Sequence, residues 1–247
     1  MDASELEFSF ESALEMLQRL RADGLFLRSR LAELDTILEL APGKCYEIDG
    51  ESGVGKTQIC YSLASQLLST RKTARLAWIG AISLRTDHLL KHGPVELGLA
   101  EHDSLERLIC RRAETCRELR VALTRLAEHE NVHLVVLDDI DALLHDTAYQ
   151  KEAGRAVQAD VMDRIRKLTA RGTTVVVTNH ITHWRGYPAP ALGTFWAAQI
   201  QPHHRFFVER RVESSDVRWI STMKPGSEET CETAFRIGAN GLEAVEV

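Results

Sequence analysis

One stretch decides the fold of this chain: Gly50-Glu51-Ser52-Gly53-Val54-Gly55-Lys56-Thr57. It fits the pattern G-x-x-x-x-G-K-[ST] of a phosphate-binding P-loop. The glycines let successive backbone N–H groups face one anionic centre, and a following helix adds partial positive charge there. Lys56 would reach the β- and γ-phosphates, and the Thr57 hydroxyl would bind Mg²⁺. The stretch therefore predicts binding of a nucleoside triphosphate.

The segments on either side of the loop fit this interpretation. Residues 44–49 predict a short strand, and residues 58–68 carry apolar residues at helical spacing. Residues 132–137 form an apolar, β-branched run that is followed by Asp138 and Asp139. A strand of this kind downstream of a P-loop places Asp138 beside the phosphates, where it can hold Mg²⁺ directly or through water.

The rest of the chain predicts an α/β fold. Apolar strands at residues 74–80 and 173–180 alternate with helical patterns at residues 31–40, 105–130 and 161–170. This alternation indicates a mainly parallel central sheet with helices on both faces. The site would lie at the carboxyl ends of the strands, where the P-loop, Asp138 and Asn179-His180 would converge. Residues 204–247 alternate apolar and polar residues, which predicts antiparallel strands with turns at residues 213–216, 224–227 and 240–241.

Composition limits the class of protein. The 247 residues carry a formal charge of −6 and 44% hydrophobic residues, enough for a buried core. The charge argues against a protein that coats nucleic acid by bulk charge, although local basic patches remain possible. Five cysteines without a C-x-x-C pair suit a reducing cytosol or nucleus. The acidic start predicts no presequence, and no apolar run approaches the length of a membrane span.

Two further segments are candidates for binding surfaces. Residues 145–158 are polar and contain Gly154 and Arg155, which predicts an exposed loop. Residues 181–201 predict a long connection that includes Trp184 and Arg185. Aromatic residues and arginine there suit base stacking and phosphate contact, and they suit a protein interface equally well.

The order of these landmarks resembles the RecA-type strand-exchange recombinases of eukaryotes, particularly their paralogues. The resemblance covers about residues 8–247. The matching pieces are Leu34-Asp35-Thr36-Ile37-Leu38, the P-loop with Gln58 after it, Leu134-Val135-Val136-Leu137-Asp138, Val175-Val176-Val177-Thr178-Asn179-His180, Pro190-Ala191-Leu192-Gly193 followed by Trp196, and Phe235-Arg236-Ile237-Gly238-Ala239-Asn240-Gly241. The order and spacing of these pieces are far more specific than a P-loop alone.

The resemblance implies an ATP-binding RecA-like core at residues 31–247, preceded by an interaction segment at residues 1–30. Protomers of this family stack so that the next subunit covers the nucleotide, and here Pro225 would help to cap a neighbour's nucleotide. Arg85 matches the adenine-stacking arginine. Two DNA-facing loops would lie at about residues 145–158 and 181–200, with Arg155, Trp184 and Arg185 as candidate contacts.

An F-x-x-A segment ahead of the core docks on a neighbouring core in these recombinases. Phe10-Glu11-Ser12-Ala13 has that form. A phenylalanine anchor and a small alanine suit a pocket on a partner. The alternative is plain packing of Phe10 and Ala13 within the chain.

The departures from the family matter as much as the matches. Ile82 or Ser83 stands where the family carries its hydrolytic glutamate, and the next carboxylate is Asp87. Without a group that orients the attacking water, hydrolysis should be slow while binding survives. His180 replaces the glutamine that senses the γ-phosphate, and its charge would vary with pH. His180 and His183 have no adjoining Cys or acidic partner in sequence, so zinc is not expected.

These features favour an accessory recombinase paralogue in homologous-recombination DNA repair. It would bind ATP with Mg²⁺, pair with the strand-exchange recombinase or another paralogue, and act in the nucleus on the filament on single-stranded DNA. One alternative is an autonomous DNA-dependent ATPase that catalyses strand pairing. Another is a scaffold whose nucleotide is purely structural.

Overall fold

The computed structural model describes residues 12–13, 26–81, 84–85, 89, 100–184, 187–211 and 216–245. No helix in these parts of the chain is both long enough and apolar enough to cross a membrane. The α-helices are α1 (Ala32–Leu38), α2 (Lys56–Thr70), α3 (Ala100–Glu106), α4 (Cys116–Leu126), α5 (Ile140–Leu144), α6 (Lys151–Thr169) and α7 (Gly193–Ala197), with short 3₁₀ helices at His145–Ala148 and Pro202–His204. The strands are β1 (Cys45–Gly50), β2 (Arg75–Gly80), β3 (Leu108–Arg112), β4 (Val132–Leu137), β5 (Thr174–Trp184), β6 (Tyr187–Pro190), β7 (Arg205–Glu209), β8 (Val217–Met223), β9 (Thr230–Gly238) and β10 (Gly241–Ala244).

One mixed sheet organises the chain in the order β10-β9-β8-β7-β1-β5-β4-β2-β3, and β6 pairs with β5. The strands from β7 to β3 in this order are parallel to one another. The strands β7 to β10 are joined antiparallel. Because β1, β5 and β4 are adjacent and parallel, the residues that follow them meet at one edge of the sheet.

Helices cover both faces of this sheet. Along β4, Leu134 and Val136 face the cluster that contains α2, whereas Val135 and Leu137 face the cluster that contains α4 and α6. A strand buried on both faces needs apolar residues at every position, which explains the continuous β-branched runs in the sequence. Helix α4 lies at the surface and is amphipathic, with a capping box formed by Thr115 and Glu118 at its start. The predicted fold class is confirmed, including the antiparallel strands at the carboxyl end.

The predicted helix over residues 105–130 is wrong, because β3 interrupts it between α3 and α4. Leu108 pairs with Leu76 of β2, and the register continues to Arg112 opposite Gly80. The density of charged residues suggested a solvated helix. Pairing with an already formed sheet overrides such a local preference.

The predicted loop over residues 145–158 is also wrong, since α6 already begins at residue 151. Gly154, which suggested a loop, is buried inside the helix. A β-carbon at this position would overlap the backbone carbonyl of Thr147. The glycine is therefore explained by close packing of the 3₁₀ helix on α6.

The predicted long connection over residues 181–201 is regular structure for much of its length. Strand β5 continues to residue 184 and forms a hairpin with β6, in which Ile181 is opposite Pro190. Helix α7 follows. Strand β6 pairs only with β5 in the described chain, and an edge position of this kind tolerates proline.

The segment that precedes α1 contacts the core at Leu27 and Ser29. Leu27 is buried and pairs with Leu40, and the buried Ser29 accepts a hydrogen bond from the Ser62 hydroxyl. Ala13 is exposed. Phe10 lies outside the described residues, and the division of the chain at residue 30 stays a prediction.

Candidate nucleotide site

The P-loop adopts a conformation that its glycines make possible. Gly53 has φ of 74° and Gly55 has φ of 112°, values that side chains other than glycine rarely adopt. Gly55 is the N-cap of α2, so the loop leads directly into the positive end of that helix. The side chain of Ile237 on β9 lies 2.7 Å from where a β-carbon on Gly55 would stand. The antiparallel strands therefore pack against the loop and restrict residue 55 to glycine.

Lys56 lies at the centre of the loop. Its ammonium donates hydrogen bonds to the carbonyls of Gly50 and Glu51, both at 2.8 Å. Burial lowers the pKa of Lys56, while the charges of Asp139 and Asp138 oppose this shift. The charged donor is thus held where a phosphate would be bound.

Thr57 and Asp138 meet as the sequence predicts. The Thr57 hydroxyl lies 3.1 Å from both carboxylate oxygens of Asp138. Thr178 of β5 donates a further hydrogen bond to Asp138 at 2.6 Å. Burial raises the pKa of Asp138, against the opposing effect of these hydroxyl donors and of Lys56.

These oxygen atoms suit Mg²⁺, which is usually held by one or two protein oxygens together with substrate phosphates. Thr57 and Asp138 would hold the ion, and Lys56 would bind the phosphates. The ion would supply charge neutralisation beside the phosphates. Sequence reasoning missed Thr178, although its hydroxyl at the end of an apolar strand was a visible signal.

Asp139 and His180 lie beside this set. One carboxylate oxygen of Asp139 accepts a hydrogen bond from the Asp141 N–H at 3.0 Å and caps α5. The other lies 3.7 Å from His180 Nε2. Burial raises the pKa of Asp139 to about 6, while the bond from Asp141 and the charges of His180 and Lys56 act in the opposite direction.

Asn179 does not join the phosphate site, contrary to the prediction. It is fully buried and donates to Glu47 Oε1 at 2.8 Å. The Trp196 indole donates to the same oxygen at 2.7 Å, and Arg205 donates to Glu47 Oε2 at 2.7 Å. Adjacent side chains of a strand point to opposite faces of the sheet. The Asn179 side chain therefore points away from the face on which its neighbour His180 lies near Asp139. The sequence did not single out Glu47 or Arg205.

The remaining predicted residues are spread around the site. Val54 is buried, Gln58 is half-buried, Glu51 and Ser52 are exposed, and Pro225 lies in the turn between β8 and β9. Arg85 is exposed, and its backbone N–H donates a hydrogen bond to the Tyr61 hydroxyl at 3.2 Å. Ile82, Ser83 and Arg185 lie outside the described residues. Trp184 ends β5, and Arg155 is exposed on α6.

Together, the fold and this loop define a P-loop protein of the RecA-like class. The sequence profile of the ATPase family associated with various cellular activities (AAA) matches residues 48–189. The chain is 56% identical to "RAD51-like protein 1" of Caenorhabditis briggsae, over 99% of this chain and 100% of that protein. Its identity to the protein of the same name in Caenorhabditis elegans is 54%, over the full length of both. The chain therefore matches the AAA family and belongs to the RAD51-like proteins, which are RecA-type recombinase paralogues.

More distant similarities agree with this assignment. "DNA repair protein RAD51 homolog 4" of Mus musculus is 26% identical over 74% of this chain and 61% of its own length. The crystal structure of the RadB recombinase superposes with a TM-score of 0.72 over 89% of this chain and 100% of that one, at 20% identity. This last similarity concerns the fold alone. The predicted family is confirmed.

Proposed function

We propose that this protein is an ATP-binding recombinase paralogue that assists DNA repair by homologous recombination. It stabilises or remodels the recombinase filament on single-stranded DNA, works in the nucleus, and hydrolyses ATP slowly or not at all. The convergence of Lys56, Thr57 and Asp138 around one loop carries the nucleotide part of this proposal. The names of the related DNA repair proteins support the biological process.

A groove beside the edge strand β3 supports the proposal that this protein binds another subunit. It has a volume of about 590 Å³ and lies between β3 and α4. Its apolar floor is formed by Ala77, Ile79, Ile109, Ala122 and Leu126. Within the described residues, β3 is the last strand on this side of the sheet. An extended segment of a partner could pair with the free edge of β3 and place an aromatic side chain in this apolar groove.

Charge indicates what kind of segment fits. The groove is rimmed by Arg111, Arg117 and Arg125, and Glu118 also lines it. Arg120 and Arg164 of an adjoining cleft both pair with Asp160. The three arginines of the rim complement an acidic partner. Residues 2–15 of this chain hold five acids, two phenylalanines and no lysine or arginine. We therefore propose that the groove receives the acidic, aromatic segment of a related subunit, and that Phe10 of this chain docks on a neighbour in the same way.

An exposed aromatic and basic surface supports contact with single-stranded DNA. Tyr149 is 74% exposed, and the His145 ring lies 5.3 Å from it. Arg155 lies 5.7 Å from the ring centre of Phe195 on α7, so the two predicted DNA-facing segments adjoin. Stacking rings beside a guanidinium suit bases and phosphates of single strands.

The first experiment is purification of the tagged protein from its native cell extract, with identification of the proteins that accompany it. We expect a strand-exchange recombinase or a second paralogue with the wild type. Phe10→Glu and the double variant Arg117→Glu/Arg125→Glu should lose it by removing the anchor and the rim charge. Arg166→Glu, an exposed charge on α6, is the matched control and should retain it. If no related protein accompanies the wild type, the proposed function is wrong.

The two alternatives predict different results. An autonomous enzyme would turn over ATP rapidly when single-stranded DNA is added, without a partner. A scaffold with a structural nucleotide would lose stability in Lys56→Ala and yet support repair once stability is restored. The proposed function predicts slow turnover and a repair defect in Lys56→Ala.

A further inference from the structure

A second pocket lies beside β7 and β8, which are separated from β3 by β1, β5, β4 and β2 in the order of the sheet. It has a volume of about 370 Å³, within the range of about 300–1,000 Å³ that is typical of small-ligand sites. Strands β7 and β8 form its floor, and the β5–β6 hairpin forms one wall. The residues that line this β7–β8 pocket include Asp49, Ile181, Pro190, Arg205, Phe207 and Met223.

The walls of the β7–β8 pocket are mostly apolar. Phe207 and Met223 on the floor are half-buried, and so are Ile181 and Pro190 of the hairpin. These side chains leave an aromatic ring and several apolar groups partly open to solvent. A good occupant therefore brings apolar groups of its own.

The buried end of the pocket carries two acids and one guanidinium. Arg205 binds Glu47 at 2.7 Å and Asp49 at 2.5 Å. The side chain of Glu47 is 0% exposed and that of Asp49 is 6% exposed, so solvent screens their charges poorly. When both acids are ionised, one negative charge is not balanced. A cation in the pocket would balance it.

Asp49 also has an unused acceptor. Its Oδ1 is buried and has no hydrogen-bond partner among the residues that the structure describes. A buried acceptor without a donor lowers stability. The torsion that turns an aspartate carboxylate is broad, so a small rotation offers this oxygen to a donor in the pocket.

The excess of acid continues along the same face of the sheet. Arg211 pairs with both Glu209 and Glu232. Glu232 lies opposite Ser221 on β8, and Glu209 follows Phe207 by two positions on β7, so both acids share the face of the pocket. Such a face repels the phosphates of nucleic acid and attracts a basic segment of a protein.

We propose that the β7–β8 pocket receives an arginine side chain of a partner protein, flanked by apolar residues. The guanidinium donates to Asp49 and lies against the ring of Phe207, since a planar cation stacks well on an aromatic face. The apolar neighbours of that arginine contact Pro190 and Met223. A free polyamine has no bulky apolar groups for these walls. This surface is separate from the β3–α4 groove and needs no nucleotide.

The test titrates the protein with a capped tripeptide that carries arginine between two leucines. Met223 lines the pocket, whereas Met162 is buried on α6, so the two methionine methyl groups report on different places. With ¹³C-methyl methionine, NMR at about pH 8, where Asp49 is largely ionised, should show a saturable shift for Met223 and none for Met162. The same peptide with citrulline in place of arginine keeps the shape without the charge. It should bind at least about tenfold more weakly.

A charge variant assigns the effect to Asp49. Asp49→Asn should weaken binding of the arginine peptide at least about tenfold and leave the citrulline peptide nearly unchanged, because it removes only the charge. The variant should stay folded, since it removes one of two acids that share Arg205. Asp163→Asn changes an exposed acid on α6 and is the matched control, so it should bind both peptides as the wild type does.

Three results would overturn the proposal. A Met223 signal that does not shift, or that shifts without saturating, would show that the pocket takes no such segment. Equal affinity for the two peptides, or unchanged affinity in Asp49→Asn, would show that the charge plays no part. Tighter binding of spermidine than of the arginine peptide would assign the pocket to a free polyamine instead of a protein. None of these results depends on ATP binding or on the β3–α4 groove.

Discussion

Asp49, which directly precedes the P-loop, is a buried carboxylate that lowers the stability of the folded protein at neutral pH. It is 5% exposed, and its Oδ2 accepts a hydrogen bond from Arg205 at 2.5 Å. Its Oδ1 has no hydrogen-bond partner among the residues that the structure describes. The same guanidinium also binds Glu47. Burial, followed by the repulsion of Glu47, raises the pKa of Asp49 to about 7. Two buried carboxylates therefore share one positive charge.

The raised pKa of Asp49 predicts a pH dependence of stability. The folded protein holds this proton more tightly than the unfolded chain, so the contribution is present below the ordinary pKa of 3.8 and is lost as the pH rises through about 7. Asp49→Asn should be more stable than the wild type at about pH 8, and the difference should shrink towards acid by at most about 1.4 kcal/mol per pH unit. Urea unfolding at several pH values measures this difference.

The pH dependence of the wild type alone would not isolate Asp49, because His204 changes stability with pH in the opposite direction. The comparison of Asp49→Asn with the wild type cancels the contribution of His204. Burial, helped by His203 and Lys44, lowers the pKa of His204 to about 4, so its effect is to lose stability as the pH falls below 6.5. Asp163→Asn is the matched control, because Asp163 is an exposed acid paired with Arg166. Equal stability of Asp49→Asn and the wild type at every pH would contradict the prediction.

At the scale of elements, the packing of α6 against the 3₁₀ helix and α7 brings two distant segments together. The Gln158 amide donates to the Thr147 hydroxyl at 3.0 Å and to the Leu192 carbonyl at 3.1 Å. Gly154 allows the close approach that these bonds need. Arg155 of α6 therefore lies beside Phe195 of α7, and Tyr149 directly follows the 3₁₀ helix that packs on α6. A loop at residues 145–158 would not have fixed their positions.

The exposed aromatic and basic surface at Tyr149 and Arg155 gives a prediction for DNA binding. Tyr149→Ala should weaken binding of a fluorescent single-stranded oligonucleotide roughly tenfold, because stacking on one base contributes about 1–3 kcal/mol. Tyr149→Phe keeps the ring and should bind as the wild type. Arg155→Ala should reduce the slope of log K against log[salt] by about 0.7, the value expected for one phosphate contact on a single strand. Anisotropy at several salt concentrations measures both effects, and unchanged affinity in Tyr149→Ala would exclude this surface.

At the scale of the whole molecule, Glu47 connects the two halves of the sheet. It lies on β1 and accepts hydrogen bonds from Asn179 of β5, Trp196 of α7 and Arg205 of β7. Strand β7 begins the antiparallel part of the sheet, and β5 belongs to the parallel part. One buried carboxylate therefore satisfies three donors from elements far apart in sequence.

Glu47→Ala should destabilise the protein by about 2–6 kcal/mol, because it leaves the buried Asn179 amide and the buried Trp196 indole without their acceptor, at about 1–3 kcal/mol each. The partly buried Arg205 guanidinium keeps Asp49. A loss of this size is a large part of the roughly 5–15 kcal/mol that stabilises a typical domain. Glu47→Gln keeps an acceptor and should lose less. Glu152→Ala, an exposed acid on α6, serves as the control and should change stability by under about 0.5 kcal/mol. A loss in Glu47→Ala no larger than that of the control would show that the three donors find other partners.

Sequence reasoning succeeded where the signal is local. Contiguous residues are enough to predict the P-loop, Asp138 and the apolar runs of β4 and β5. The alternation of strands and helices along the chain is enough to predict a mainly parallel sheet. It failed at β3, at the start of α6 and at the β5–β6 hairpin, where the regular structure depends on contacts with other elements. Gly154 is the clearest case, since a helix interior disfavours glycine unless another backbone lies against it.

The sequence by itself determined the P-loop, the fold class and the family, because motif spacing and the alternation of apolar segments can be read from contiguous residues. Only the tertiary structure decided which polar residues meet. It turned Asn179 towards Glu47 and His180 towards Asp139, although Asn179 and His180 are neighbours on β5. Adjacent side chains of a strand point to opposite faces of the sheet. It also placed an arginine-rimmed groove between β3 and α4. These contacts depend on strand order and register, which bring together residues as far apart in the chain as Glu47 and Asn179, 132 positions from each other.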